Sequence, residues 1–257
     1  MTLELRTVAD DVLRRDPDRI ALVDPDLSWT YDDLAGAIHS AAARLRAAGV
    51  GIDDKVYIVA NPGRLALTAT YAAMRLGATP ALVNPRLTAG EVTELVQLAG
   101  TASAAVVDTG YADRVAGLGV PVIGEELLET FDGDDSAAAK DGRDGLVLFT
   151  SGTTGLPKPV PVPWQTLTAR LAPYLDPPDA QVRLLCVPTH HVGGLIGALV
   201  CLCGGHTVVV QPRFDPGEWL RLVATNGGQR TGMWPTMLAR VVDHPDLAST
   251  DLSSLET

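Results

Sequence analysis

Hydroxyl side chains threaded on two glycines and followed by a lysine form the densest grouping of potential chemistry in this sequence. The stretch runs Leu148-Phe149-Thr150-Ser151-Gly152-Thr153-Thr154-Gly155-Leu156-Pro157-Lys158. The apolar run from Gly145 to Phe149 reads as a buried strand that delivers the chain into this loop. Glycine lets backbone N–H groups converge on one point without a Cβ in the way. Converging amides, hydroxyls and an ammonium group together make a concavity for anions, suited to a polyphosphate. The kinase-type phosphate loop needs four residues between its glycines and then Gly-Lys-Ser/Thr opening a helix. Here Gly152 and Gly155 stand closer together, and Lys158 lies between Pro157 and Pro159. A helix cannot start there, so that kind of loop is excluded. A second grouping, Cys201, Cys203 and His206, has ligand-type side chains, but its setting in an apolar run reads as core packing rather than a metal site.

The elements that must position the loop alternate between helix and strand. Thr30 with Asp33 starts a capping-box-like helix carrying Leu34, Ile38, Ala41 and Leu45, stopped at Gly49. Residues 55–60 read as a strand, 65–76 as a helix and 80–83 as a strand. Thr88 and Glu91 cap a further helix with Val92, Leu95, Val96 and Leu98; residues 104–107 and 120–123 read as strands. Residues 124–144 are acidic and small, the composition of a solvated connector. Pro159, Pro161 and Pro163 forbid a helix and predict an extended edge segment. Beyond it come a strand at 184–187, a helix at 193–202 and a strand at 207–210. A helix opened by Asp215 and Pro216 follows, then Gly232-Met233-Trp234 and a helix from Pro235 to Val242. This alternation predicts an α/β fold with mostly parallel sheets flanked by helices.

Composition narrows the class of partner. The chain has 257 residues, 46% hydrophobic content and a net charge of −11, without a basic cluster. That content is ample for a real core. The acidic balance argues against nucleic acid and against an anionic membrane surface. Three cysteines, all in apolar runs, fit a reducing compartment better than a disulfide framework. The first residues lack the basic-then-apolar order of a signal peptide, and the longest apolar stretch, around 193–203, is too short to span a bilayer. The expected location is the cytoplasm.

In order along the chain, these pieces resemble the adenylate-forming superfamily of acyl- and aryl-CoA ligases, firefly luciferase and peptide-synthetase adenylation domains. The loop at 148–158 is similar to the family's phosphate loop. Trp29-Thr30-Tyr31-Asp32-Asp33-Leu34 resembles its "T-Y-x-x-L" opening, and Asn84-Pro85-Arg86-Leu87-Thr88 its "N-P-R-L-T" segment. Pro188-Thr189-His190-His191-Val192-Gly193-Gly194 resembles "P-x-F-H-x-x-G", and Trp234-Pro235-Thr236-Met237-Leu238 and Asp251-Leu252-Ser253-Ser254-Leu255 resemble the family's next two segments. Two positions depart from the pattern: Pro159 replaces the usual glycine after the lysine, and Trp164 stands where histidine is common.

The resemblance implies ATP-dependent activation of a carboxylate to an acyl-AMP with release of pyrophosphate, then transfer to CoA, with ATP, Mg2+ and CoA as cofactors. Ser151, Gly152, Thr153, Thr154 and Gly155 would cradle the β- and γ-phosphates, Lys158 would supply counter-charge, and Thr150 would lie near the metal. His191 would be the catalytic gate between acid and adenylate, with Trp234 and Met237 lining the acid pocket and His190 packing. Amino-acid-activating members carry an aspartate in the His191 motif to hold an ammonium, so His191 favours a fatty or aryl acid. The resemblance covers about the first half of such a ligase. It implies one α/β subdomain at about 55–180 and part of a second from 1–54 plus 181–257. By the same resemblance, the glutamate that helps bind Mg2+, the ribose-binding aspartate and the C-terminal lysine-bearing domain belong to the family's later segments, to which these residues do not correspond. The remainder of the ligase is thus an implied partner, a homodimer is an assembly the family allows, and the 257 residues alone are expected to lack turnover. Two other functions fit the same motifs: an enzyme loading a carrier protein, and a non-catalytic nucleotide-binding or scaffold fragment.

Overall fold

The computed structural model describes residues 6–7, 10, 16–25, 27–138, 142–150, 157–174 and 179–256. Two sheets carry the chain. The first has six strands, β3 (Lys55–Val59), β4 (Thr79–Leu82), β5 (Ala104–Val107), β6 (Val122–Ile123), β7 (Asp144–Thr150) and β8 (Lys158–Pro163), in the order β6-β5-β3-β4-β7-β8. All neighbours are parallel except the β7–β8 pair. The second has five: β1 (Ile20–Asp24), β2 (Leu27–Thr30), β9 (Val182–Leu185), β10 (Thr207–Val210) and β11 (Arg230–Gly232), ordered β11-β9-β10-β1-β2, with only β1–β2 antiparallel.

The helices begin where side chains satisfy free backbone donors. Thr30 and Asp33 form a reciprocal capping box at α1 (Tyr31–Ala47), and Thr88 and Glu91 form another at α3 (Ala89–Ala99). Asp215 accepts from the Glu218 N–H at the start of α6 (Pro216–Asn226), which Gly227 ends in the left-handed conformation. The helix α2 (Arg64–Arg75) is buried from Leu65 to Arg75. Its alanines pack it against the alanine-rich α1, between the two sheets. One continuous core joins Val56, Ile58 and Leu146 of the six-stranded sheet to Leu22, Leu185 and Val208 of the five-stranded sheet through α1, α2 and α5 (Val192–Cys203). Outside the six-stranded sheet, α3 covers Tyr57, Val59 and Val107. Outside the five-stranded sheet, α6 and α7 (Pro235–Val242) cover Leu184 and Val209. The architecture is therefore helix, sheet, helix, sheet, helix.

The acidic stretch 124–144 is more than a solvated connector. Leu127 is fully buried in the central core, Phe131 lies under the Arg44 guanidinium, and the Ala138 N–H donates to the Arg75 carbonyl. Its few apolar side chains find burial against α1 and α2, which outweighs the solvation of the carboxylates around them. Cys201 and Cys203 are buried free thiols pushed up to about 11 and about 12 by burial, as packing predicts. Among the described residues no cluster of His, Cys, Asp and Glu suits a metal, and no helix is long and apolar enough to cross a membrane.

His206 is 1% exposed and its Nδ1 accepts the Gln181 N–H at 3.0 Å. Burial, then the charges of Arg183, Arg19 and Arg230, lower its pKa from 6.5 to about 4. The unfolded chain takes up this proton at higher pH than the native chain does. Stability is therefore complete above about 6.5 and falls as pH drops towards 4, by up to about 3 kcal/mol from this group. Urea midpoints across that range should fall more steeply for the wild type than for His206→Asn, which keeps an acceptor but does not titrate. Equal slopes would show that His206 does not control acid stability.

Candidate active site

Both sheets turn the carboxyl ends of their parallel strands towards one region, the usual place for ligands in open α/β sheets. The antiparallel β7–β8 pair closes on the register partners Thr150 and Lys158, so the loop between them is held at the end of β7. Thr150 and Lys158 are both exposed, and the Thr150 hydroxyl donates to the Lys158 carbonyl at 3.5 Å. Ser151, Gly152, Thr153, Thr154 and Gly155 lie outside the described residues. Pro159, Pro161 and Pro163 all have the same parity along β8. The ladder with β7 then takes its donors from the even-numbered residues, and the missing N–H groups face the open edge. Pro159 therefore costs the strand pair no hydrogen bond. Trp164, the other departure, is a buried core residue at the start of α4 (Trp164–Leu171).

The second part of the site lies where β9 runs into α5. Gly194, in the first turn of α5, packs on the backbone carbonyls of Val187 and Pro188, where a Cβ would clash. This close approach fixes the Pro188–His191 turn, in which the His191 N–H donates to the Pro188 carbonyl at 3.1 Å. The His191 ring is exposed and meets Trp234 edge-on, with centroids 5.2 Å apart at 80°. His190 packs behind it at 4.5 Å. Burial, then His191 and Arg86, lower the His190 pKa to about 4, so it is neutral near pH 7. Arg86 belongs to the Asn84–Thr88 segment at the end of β4, which places that segment close to His190.

Below Trp234 a cavity of about 520 Å³ extends between α5 and the β9–β11 pair. Gly193, Gly197, Leu185, Ile196 and Met233 are among its lining, and no carboxylate lines it among the described residues. Trp234, 45% exposed, lines the mouth. Met237 does not reach it: this side chain is buried in the core beside Trp219 and Val241. Met233, which sequence reasoning passed over, takes the lining position. Its signal was legible, since it directly precedes Trp234 at the end of a short strand. A second, smaller cavity of about 250 Å³ gathers Asp24, Asp108 and Glu125 at the ends of β1, β5 and β6. Burial raises the pKa of both Asp108 and Glu125, and Asp108 accepts the Asn61 N–H at 2.7 Å.

Known proteins share this fold and stretches of this sequence. The chain is 32% identical to 3-[(3aS,4S,7aS)-7a-methyl-1,5-dioxo-octahydro-1H-inden-4-yl]propanoyl:CoA ligase of Mycobacterium tuberculosis, over 99% of the chain and 56% of that protein. It is also 32% identical to phosphinothricin tripeptide synthetase PhsC of Streptomyces viridochromogenes, over 83% of the chain and 21% of that protein. It thus spans about half the length, or less, of these relatives. The inhibitor-bound N-terminal domain of FACL13 from Mycobacterium tuberculosis superimposes with a TM-score of 0.88 at 23% identity, covering 98% of this chain and 68% of that one, a likeness of fold. The model of the AMP-binding enzyme family matches residues 9–257, and the chain belongs to that family.

Proposed function

We propose that this chain is the ATP- and acid-binding part of a carboxylic acid–CoA ligase that activates a fatty or aryl acid as its acyl-adenylate and passes the acyl group to CoA. The observation that carries this choice is the cavity under Trp234. Its lining is mainly apolar, and among the described residues no carboxylate is there to hold an α-ammonium group. Activation brings an anionic carboxylate to an anionic phosphate, so donors and positive charge must stabilise the crowded phosphorus and the departing pyrophosphate. Ser151, Gly152, Thr153 and Thr154 would bind the β- and γ-phosphates through N–H and hydroxyl groups, with Lys158 as counter-charge. Of the described residues the exposed Thr150 hydroxyl suits a magnesium ion carried by the triphosphate, an ion that keeps most of its ligands as phosphate oxygen and water. When bound, that ion neutralises phosphate charge. His191, standing on the Trp234 edge at the cavity mouth, would separate the acid from the nucleotide until both are bound. Loading of a carrier protein in place of CoA is a second reading, favoured by the equal identity to PhsC.

The test is ATP–pyrophosphate exchange by the full-length protein over a panel of fatty, aryl and amino acids, followed by CoA or a carrier protein as acceptor. Exchange with acids lacking an amino group, and thioester on CoA, is the expected result. Exchange with amino acids alone would overturn the assignment. In the same assay His191→Ala should change the ranking of acids while leaving KM for ATP within about twofold, since among the described residues its ring contacts are with Trp234 and His190. An unaltered ranking would remove His191 from the acid site.

A further inference from the structure

The charged side chains that line the cavity among the described residues are all arginines: Arg170, Arg183 and Arg230. That is contrary to the composition of a chain with net charge −11. Arg183 and Arg230 are register partners on the parallel strands β9 and β11, so they stand about 4.8 Å apart on one face of the sheet. Glu256 offsets Arg230, at 3.2 Å. Among the described residues Arg183 has no such carboxylate partner. Arg183 is half-buried; its Nη2 donates to the neutral Gln181 Oε1 at 3.0 Å, its side chain also hydrogen-bonds the Cys201 sulfur, and its Nε–H meets no nitrogen or oxygen acceptor among the described residues. The neighbouring Cys201 is a thiol that burial keeps protonated at neutral pH, so it supplies no counter-charge. A half-buried guanidinium whose partners here are neutral keeps its charge available, so the position suits an anionic acceptor brought from outside. The adjacent His206 does not serve, because its Nδ1 is engaged by the Gln181 N–H. Arg170 has no carboxylate partner among the described residues.

Arg183 and Arg230 stand at the start of β9 and β11, whereas Gly232 ends β11 and Val187 and Trp234 lie just beyond the strand ends, on the side of His191. The chain from Arg183 through the end of β9 to Val187 can separate the two ends by up to about 13 Å. We infer that the acid activated by this protein carries a second anionic group, held by Arg183 at the far end of the cavity while its other carboxylate faces His191: the substrate class is a long dicarboxylic acid. This rests on the adenylation proposed above and assigns Arg183 as a specificity-determining residue.

The experiment compares decanedioate with decanoate and 9-oxodecanoate in pyrophosphate exchange by the full-length protein, in wild type, Arg183→Met and Arg183→Lys. Wild type should favour decanedioate over decanoate in kcat/KM by at least about tenfold, with the oxo acid between them. Arg183→Met should lose that preference while keeping activity on decanoate, which also shows that it is folded; Arg183→Lys should keep part of it. Equal or reversed preference in wild type, or an unchanged ratio in Arg183→Met, would overturn the inference. Absence of exchange with every acid would instead overturn adenylation itself. Calorimetric titration of decanedioate without ATP then decides the arginine site separately: binding weakened in Arg183→Met supports it, and no binding, or binding unaffected by the substitution, overturns it.

Discussion

Lys158→Ala in the full-length protein should slow pyrophosphate exchange by about a hundredfold, with stability unchanged. The lysine is exposed at the first position of β8, in register with Thr150 at the end of β7, and no carboxylate pairs with it among the described residues. An ammonium so placed has no structural partner to lose, so its removal should act on charge alone. A single preorganised cation facing phosphate oxygens in a transition state is worth about 3 kcal/mol. Lys158→Arg should recover only part of the rate, because a planar fork does not occupy the place of a compact ammonium. Rate loss in kcat with the melting temperature held constant is the expected pattern. Full exchange activity in Lys158→Ala would remove the lysine from phosphate binding and leave the loop's backbone and hydroxyl groups as its only donors.

Two adjacent glycines should respond to alanine with opposite signs. Gly194 packs on the Val187 and Pro188 carbonyls, and the backbone atoms it meets cannot swing aside. Gly194→Ala must move the start of α5 or the end of β9, at a cost of about 3 kcal/mol, the upper part of the range for overpacked interiors. The Pro188–His191 turn moves with it, so acid-dependent exchange should fall together with the urea midpoint. Gly193, one residue earlier and exposed, has nothing within 4 Å of the place an alanine methyl would take. Gly193→Ala should keep or raise stability by about 0.5–1 kcal/mol, because glycine is a poor helix former. It also lines the cavity, so the added methyl should favour slimmer acids. If both variants unfold at the same urea concentration as wild type, the close approach of α5 to β9 is not as described.

Local chemistry made much of this fold legible in the residues. The capping boxes at Thr30 and Thr88, the Asp215-Pro216 helix start and the run of prolines in β8 each act within a few residues, and all appear where spacing puts them. Strands β1 and β2 were not legible as a pair. Their sequences, Ile20–Asp24 and Leu27–Thr30, look like an approach to the first helix, and they become sheet only because β10, nearly two hundred residues later, offers β1 a parallel edge. The acidic segment misled for a similar reason: Leu127 and Phe131 are too few to signal burial until α1 and α2 provide a surface for them.

By itself the sequence determined the alternating elements, the extended proline segment that Lys158 opens and the His190–Gly194 turn, since these depend on residue type at short range. Tertiary structure decided which of the two methionines near Trp234 reaches the cavity. Both are apolar and close in sequence, but Met233 leaves the end of β11 towards the cavity, while Met237 sits on the face of α7 turned into the core beside Trp219. It also decided the company of Arg183. As residues 183 and 230 the two arginines are unrelated; parallel pairing of β9 with β11 sets them side by side at one end of a mainly apolar cavity.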